Sequence, residues 1–356
     1  MALPFIDSGT KKRDQMISID LGGRTTKAVH LQRRGEGYAL CRYAILDAPL
    51  YEKNLSVELL SEHLKSVSTA LEAKTRATTI AIGVNEALAR HVEMPRMPVD
   101  DMRLVLKAGA KNYLQQDLPN YIYDCYVMPG RSAQPAEAGK ATGVQPKQKV
   151  FVAGAKKTLL DDYQLALKNA GLVADHIVPG LVGPVNAFEL AMPDPFLKEV
   201  VALVDIGFKF TTVSILHEGE LVLSRVVAIG GDRLTGALAE SMSISSAEAE
   251  GIKVGMAGEV QSTLEAILLP LGRELRASID FFEHQQDKPV QQVYVTGGSS
   301  RSEFVMQTLQ SELMVECKTW NPTQFLQIAL PPQQLAELEQ VAPQLTVAIG
   351  AALAAF

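Results

Sequence analysis

Asp20-Leu21-Gly22-Gly23-Arg24-Thr25-Thr26-Lys27 and Asp205-Ile206-Gly207-Phe208-Lys209-Phe210-Thr211-Thr212 are the two stretches on which the reading of this sequence turns. Each follows a largely apolar run, Met16 to Ile19 and Val200 to Val204, and each leads into a second β-rich run. The two aspartates stand about half the chain apart. Each unit puts an acid at a strand end, then a small-residue turn, then a hydroxyl-rich strand. Such a turn exposes backbone N–H groups that hold a phosphate from one side. Two of them face to face would clamp a polyphosphate. Asp20 and Asp205 would then hold Mg²⁺ through its waters, because that ion keeps most of its hydration.

Further elements extend the pattern. Gly230-Gly231 leads from a strand into a helix. Gly297-Gly298-Ser299-Ser300-Arg301, between a buried strand and a helix, lets a base or ribose approach the backbone closely. Glu250 and Lys253, three apart on a helix, share one face and would bracket a ribose and base. Each piece also has a plainer reading. A lone Asp-x-Gly after a strand makes a β-turn. Gly297-Gly298 makes a helix N-terminus with Ser299 as cap, and Glu250 with Lys253 makes a solvated ion pair. The ordered set of turn, turn, helix pair and Gly-Gly favours the nucleotide reading over four coincidences.

Composition agrees with an ordinary globular chain. Of 356 residues, 47% are hydrophobic and 21% charged, which excludes disorder and collagen-like repeats. Lys and Arg number 34 against 40 Asp and Glu, a net charge of -6, so no basic excess marks a nucleic-acid binder. The apolar stretch Ile177 to Met192 is interrupted by Pro179, Pro184, Asn186 and Glu189, too broken for a spanning helix. No secretory signal is expected at the N-terminus, because Asp14 and Gln15 follow Lys11, Lys12 and Arg13. Cys41, Cys125 and Cys317 lack metal or disulfide spacing and read as free thiols. The six histidines form no ligand cluster.

Local patterns predict the elements. Val57, Leu60, Leu64, Val67 and Leu71 mark one helix face behind a Ser56 N-cap. Strands are expected at Met16–Asp20, Lys27–Gln32, Tyr38–Ile45, Thr78–Val84, Tyr121–Met128, Val150–Ala155, Val200–Asp205, Thr211–Leu216, Leu221–Val227 and Val293–Thr296. Helices are expected at Val99 to about Gln115, at Leu159–Ala170, and through Leu264 to Phe282, where Pro270 kinks or restarts the helix. Trp320, after an edge strand, is expected to pack locally.

In order and spacing these elements resemble the actin, sugar-kinase and heat-shock-ATPase superfamily, with its two phosphate turns and Gly-Gly adenosine motif. There a lysine at the start of the second strand touches the phosphates, the place of Lys27 here. A closer resemblance is to the PilM family of type IV pilus assembly. Leu203–Gly207, Gly219–Arg225, Ile229–Thr235, Ala249–Gly255, Arg90–Pro98, Val152–Lys157, Ala170–Leu172 and Val347–Leu353 carry it, so that it covers nearly all of Ile17 to Leu353.

The resemblance implies an α/β, actin-like (ribonuclease H-like) fold of duplicated βββαβα domains with a cleft between them and an inserted small α+β subdomain. The chain then divides into a flexible leader 1–15, the first half of domain I at 16–89, an insertion at 90–175 with a flexible loop 130–148, a crossover helix region 176–199, domain II at 200–340 and a C-terminal helix 341–356 returning to domain I. ATP and Mg²⁺ are the implied cofactors. Gly22, Gly23, Arg24, Thr25, Lys27, Gly207, Phe208, Thr211, Gly230, Gly231, Glu250, Lys253, Gly297, Gly298, Ser299 and Arg301 would face the nucleotide, with Asp20 and Asp205 at the metal.

The implied partner is the N-terminal cytoplasmic tail of a PilN-like inner-membrane protein, in a groove between the first subdomain and the insertion. Met94, Met97 and Met102 would line that groove or belong to the core. This places the protein in the cytoplasm, recruited to the inner membrane by a partner, without inserting into it and with self-association as a further expectation. Two departures stand out: Gly23 and Arg24 replace the family's serines, and bulky Phe208 and Phe210 narrow the second turn. Ile177–Leu181 supplies no acid or Gln to position an attacking water, so hydrolysis is expected to be slow or negligible. Two alternatives remain at this point. A small-molecule kinase would need a catalytic acid, for which Asp100, Asp101 and Asp124 are the candidates. An FtsA-like filament scaffold would want a basic C-terminal amphipathic helix, yet no Lys or Arg follows Lys318.

Overall fold

A computed structural model of the chain describes residues 1, 3, 5–7, 13–50, 55–129, 146–255 and 260–356. The first half begins with β1 (Ile6–Asp7), β2 (Gln15–Leu21), β3 (Thr25–Arg34), β4 (Gly37–Asp47), α1 (Val57–Leu71) and β5 (Ala77–Ile82). Then follow β6 (Ala87–Pro95), α2 (Val99–Gly109), α3 (Lys111–Leu114), β7 (Tyr121–Val127) and β8 (Lys147–Lys156). Next come α4 (Lys157–Asn169), β9 (Val173–Pro179), α5 (Val182–Ala191) and α6 (Pro193–Lys198). The second half has β10 (Val200–Ile206), β11 (Thr211–His217), β12 (Glu220–Val227), α7 (Gly231–Met242), α8 (Ser246–Gly255), α9 (Gln261–Gln286), β13 (Gln292–Thr296), α10 (Glu303–Leu313) and β14 (Cys317–Thr319). β15 (Gln327–Ile328), α11 (Pro332–Val341) and α12 (Thr346–Leu353) complete the chain.

The duplication seen in the two aspartate stretches is a duplication of whole sheets. One sheet runs β1-β9-β5-β2-β3-β4-β15 and the other β12-β11-β10-β13-β14. Within them, β4-β3-β2-β5-β9 and β12-β11-β10-β13-β14 have the same order and the same pairing, two antiparallel ladders then two parallel ones. β10 is buried along its length apart from Asp205, as expected for a strand covered on both faces. Register puts Asp20 beside Lys27 and Ala81, and Asp205 beside Thr212 and Thr296. Both acids therefore stand where parallel strands end, the usual site of ligand crevices in open α/β sheets.

Local signals behave as their chemistry requires. Ser56 caps α1 by accepting from the Leu59 N–H at 3.2 Å. Leu60, Leu64, Val67 and Leu71 are buried along one face of that helix. The expected helix at 99–115 is divided into α2 and α3 at Gly109-Ala110. Pro270 does not end α9, which continues through it on a buried stripe of Leu264, Leu268, Leu271 and Leu275.

Other expectations are corrected. The segment 1–15 is not a loose leader over its described residues. β1 pairs with β9, Leu3 and Phe5 are buried, and the N-terminal ammonium donates to Asn186 Oδ1 at 2.7 Å. Burying two such side chains contributes about 1.5–3 kcal/mol each toward ordering the segment. The crossover region 176–199 begins as strand, because β9 continues to Pro179 beside β5. α4 packs on α1, and β9 joins the larger sheet, so both lie with the first half although the sequence reading ran the insertion to 175. The insertion itself is the sheet β6-β8-β7 backed by α2 and α3. Met94 and Met102 are fully buried in its core, as the alternative of core residues expects, and Met97 is half-buried against it. Residues 130–145 of the expected flexible loop lie outside the described residues, and β8 begins at Lys147.

Two helices join the halves. α5 and α12 cross so closely that a Cβ on Gly350 would stand 1.7 Å from the Gly183 carbonyl oxygen. Phe188 of α5 carries the packing into the second half: its ring lies 4.9 Å from Tyr294 and 5.1 Å from Trp320, edge-on to the latter. Trp320 thus packs at long range, not locally. Core residues of both sheets, Ile80 and Leu203 among them, belong to one apolar cluster around these helices. Because interiors are close-packed, the crossing tolerates no added atom. Gly350→Ala is expected to cost about 1–3 kcal/mol, read as a lowered midpoint in urea. Gly236→Ala, in α7 with nothing within 4 Å of the added carbon, is the control and should be neutral or slightly stabilising.

Candidate functional site

A cleft of about 1290 Å³ separates the halves, and Asp20 and Asp205 both line it. Gly22, Gly23, Arg24, Thr25, Lys27, Gly207, Phe208, Gly231, Glu250, Lys253, Gly297, Gly298, Ser299 and Arg301 line the same space. Residues from four separate parts of the chain therefore meet, as the clamp reading requires. Two expected members do not reach the lining. The Thr211 hydroxyl is buried and donates to the Ile229 carbonyl at 2.7 Å, while its neighbour Thr212 faces the cleft. Alternation along β11 makes this a one-residue correction. Gly230 packs behind the second turn, where a Cβ would stand 2.4 Å from the Phe208 carbonyl oxygen. The N–H groups of Gly231 and Asp232 donate to the carbonyls of Gly207 and Phe208 at 3.0 and 2.8 Å. The start of α7 thus braces the second turn.

The first turn is as tightly specified. A Cβ on Gly22 would stand 2.5 Å from Lys27 Nζ and 2.6 Å from the Thr25 carbonyl oxygen. Gly297, after β13, has φ +92° and abuts Asp205: a Cβ there would stand 2.6 Å from Asp205 Oδ1. Only glycine adopts that backbone at low cost, and only glycine admits the carboxylate.

Charge in the cleft is unevenly matched. Lys27 Nζ lies 3.5 Å from Asp20 Oδ2. Burial raises the Asp20 carboxyl above its ordinary range, against the pull of Lys27. Asp205 is pushed up to about 6, by burial first and then by the negative charge of Asp20, with Lys27 opposing. Two carboxylates thus share one space with one lysine between them. On the far wall, Glu250 Oε2 receives Lys253 at 2.7 Å, the Thr235 hydroxyl at 2.5 Å and Arg24 at 2.7 Å. Burial works against the Glu250 charge, but the hydrogen bonds from Lys253 and Thr235 and the nearby cations outweigh it, so its carboxyl is held below the usual range. This is more than the solvated helix pair of the plainer reading.

Several lining residues had no sequence signal of their own. Thr235 sits one turn inside α7 and meets Glu250 only because α7 and α8 pack together. Lys209 lines the cleft, its stem 3.4 Å from where a Cβ on Gly23 would stand. Beyond the turns the cleft runs on past Leu55, Val57, Val84, Glu86, Leu159 and Tyr163, toward the place where the insertion leaves the first half. There Glu86 accepts from the Gly83 N–H and the Tyr163 hydroxyl, both at 3.0 Å. The acids considered for a kinase lie elsewhere: Asp100, Asp101 and Asp124 are absent from the lining, and Arg103 reaches Asp124 at 2.6 Å and Asp100 at 2.8 Å. Among the described residues no group of three or more His, Cys, Asp or Glu is placed to hold a metal.

The elevated Asp205 predicts a pH signature in protein free of metal and nucleotide. A carboxyl that holds its proton better folded than unfolded weakens the fold when it ionises. The loss sets in above the unfolded value near 4 and is complete above about 6. Asp205→Asn should therefore stabilise the ligand-free protein at pH 7.5, by up to about 3 kcal/mol, and the gain should vanish below pH 4. Thermal melts across that range measure it.

Comparison with known proteins completes the picture. A family model described as type IV pilus assembly protein PilM matches residues 18–356. A solved PilM-PilN type IV pilus biogenesis complex is similar at TM-score 0.82 and 22% identity, over 97% of this chain and 99% of that one. MreB5 of Spiroplasma citri bound to ADP is similar at TM-score 0.50 and 12% identity, over 96% of each chain. Cell division protein FtsA of Bacillus subtilis (strain 168) is 22% identical over 254 residues, 67% of this chain; the chain spans 57% of the length of that curated relative. At these identities the likenesses show the fold, the actin-like duplicated architecture that the sheets display. The family match spans both turns, the crossing helices and every strand from within β2 onward, and by it the chain belongs to the PilM family of type IV pilus assembly proteins.

Proposed function

We propose that this member of the family is an ATP-binding scaffold that docks the N-terminal cytoplasmic tail of a PilN-like inner-membrane protein. One observation carries the nucleotide half of this reading: Asp20 and Asp205, half a chain apart, line one cleft between two glycine-bearing turns. Their carboxylates are hard oxygen donors short of positive charge, which suits Mg²⁺. Asp20 and Asp205 would hold the ion, and bound there it would neutralise the phosphate oxygens. The amides of the two turns and Lys27 would take the phosphates from opposite sides, while Glu250, Lys253 and Gly297–Arg301 face ribose and base. The MreB5 of similar fold is bound to ADP, which agrees with a nucleotide here. Of residues 177–181 only Gly180 lines the cleft, which supports slow or negligible hydrolysis.

The partner half rests on the family and on the solved complex of PilM with PilN. The extension of the cleft past Val57, Glu86 and Tyr163 offers the tail an apolar floor with polar edges. Among the described residues no helix is long and apolar enough to cross a membrane. α12 packs against α5 and β2 with Ala348 to Ala352 buried, which leaves it no free apolar face for lipid. Recruitment to the inner membrane from the cytoplasmic side would therefore run through PilN. ATP would bias docking by its differential contacts with the two halves.

Three measurements test this. Mg·ATP should bind by calorimetry, EDTA should weaken it, and Asp205→Asn should weaken it at least about tenfold, a loss of about 1.4 kcal/mol. Because a protonated Asp205 cannot serve the metal, Mg²⁺-dependent ATP affinity should fall as pH drops through about 6. A synthetic PilN tail should bind the full chain, with an affinity that changes on adding Mg·ATP. Failure of the tail to bind in both conditions removes the partner.

A further inference from the structure

Arg24 belongs to the first turn and Glu250 to α8 of the second half, yet Arg24 Nη1 lies 2.7 Å from Glu250 Oε2. The same guanidinium sits 6.0 Å from the centroid of the Phe208 ring, on the second turn and within cation–π range. Glu250 is held from its own side by Lys253 and Thr235. Of the three donors on that one oxygen, only Arg24 comes across the cleft. The two turns also come close beside it: a Cβ on Gly23 would stand 3.4 Å from the aliphatic stem of Lys209.

We propose that Arg24 is a positioning residue that straps the two halves together across the cleft and holds the Glu250 carboxylate in the closed arrangement. The inference deepens the nucleotide reading and rests on it for its consequence. A ligand that touches both halves binds the closed arrangement more tightly, so whatever sets the closed fraction also sets apparent affinity. The exposure of the pair suits a strap that yields. The Arg24 side chain is 42% exposed and that of Glu250 18%. A pair open on one side is screened by salt and modest in strength. It would release as a ligand enters and re-form behind it, whereas a fully buried pair would cement the halves. Phe208 adds direction, because it offers the guanidinium a face to rest on while Glu250 fixes its end.

The test reads the opening of the cleft directly. Spin labels on unnatural amino acids at Glu58 of α1 and Met242 at the end of α7, both exposed, leave the three cysteines in place. Pulsed dipolar distances are then measured on the full chain without nucleotide. Arg24→Ala should lower the ratio of closed to open populations about two- to fivefold. Arg24→Lys should retain part of it, since lysine can pair with Glu250 but stacks poorly on Phe208. About 0.5 M NaCl should move wild type toward the Arg24→Ala distribution and leave that variant unmoved. Identical distributions for wild type and Arg24→Ala overturn the strap, as does a wild type indifferent to salt, a result that needs no variant to fold. In a parallel titration Arg24→Ala should weaken Mg·ATP binding in proportion to the measured fall in the closed fraction. If wild type takes no nucleotide, the nucleotide reading fails, and the distance measurements still decide the strap.

Discussion

Two acids and one lysine in a single buried cleft are the constraint around which this molecule is arranged. Asp20 and Asp205 each end a central strand, and each is raised by burial, Asp205 also by the charge of Asp20. Such a site opposes the fold while its carboxylates are ionised and unpartnered. Functional sites are where that tension is tolerated, because a ligand of opposite charge relieves it. The surrounding backbone holds the arrangement in place. Gly22 lets Lys27 reach Asp20, and Gly297 lets β13 close against Asp205. The start of α7 braces the second turn through two backbone hydrogen bonds.

The halves meet through α5 and α12, and this explains how a cleft so charged is held open to ligands yet connected. The contact of Gly183 with Gly350 brings two backbones together with no side chain between them. Phe188, Tyr294 and Trp320 then fasten α5 to the second sheet. Behind the cleft the connection is apolar and close-packed. Across its mouth it is polar and light, through Arg24 on Glu250. With the strap proposed above, a tight joint behind and a weak one in front would make a closure that ligand binding energy is large enough to shift.

Much of this was legible in the residues. Apolar runs ending in Asp20 and Asp205 located the strands, and the glycines after them located the turns. Glu250 with Lys253 came from helical spacing, and Gly297-Gly298 from its place after a buried strand. Other features were hidden because their cause lies elsewhere in the chain. β9 has an apolar run broken by Asp175 and His176, and it is a strand because β5 and β1 pair with it on either side. Asp175 is buried there because Arg13 reaches it at 2.9 Å. Leu3 and Phe5 looked like part of a polar leader until a sheet edge gave them a core. Of Thr211 and Thr212, alternation lets only one face the cleft, and the register of β11 makes it Thr212.

The order of motifs along the chain, read without any structure, determined the duplicated α/β architecture, both acid-bearing turns and the family. Each of those depends on residues close together in sequence, where backbone geometry and hydrophobic period leave few choices. What only the tertiary structure decided is which groups of the two halves meet: Arg24 on Glu250 and Phe208, and Trp320 against Phe188. Those meetings depend on the relative placement of the two halves, which the crossing of α5 and α12 sets and which no local pattern encodes.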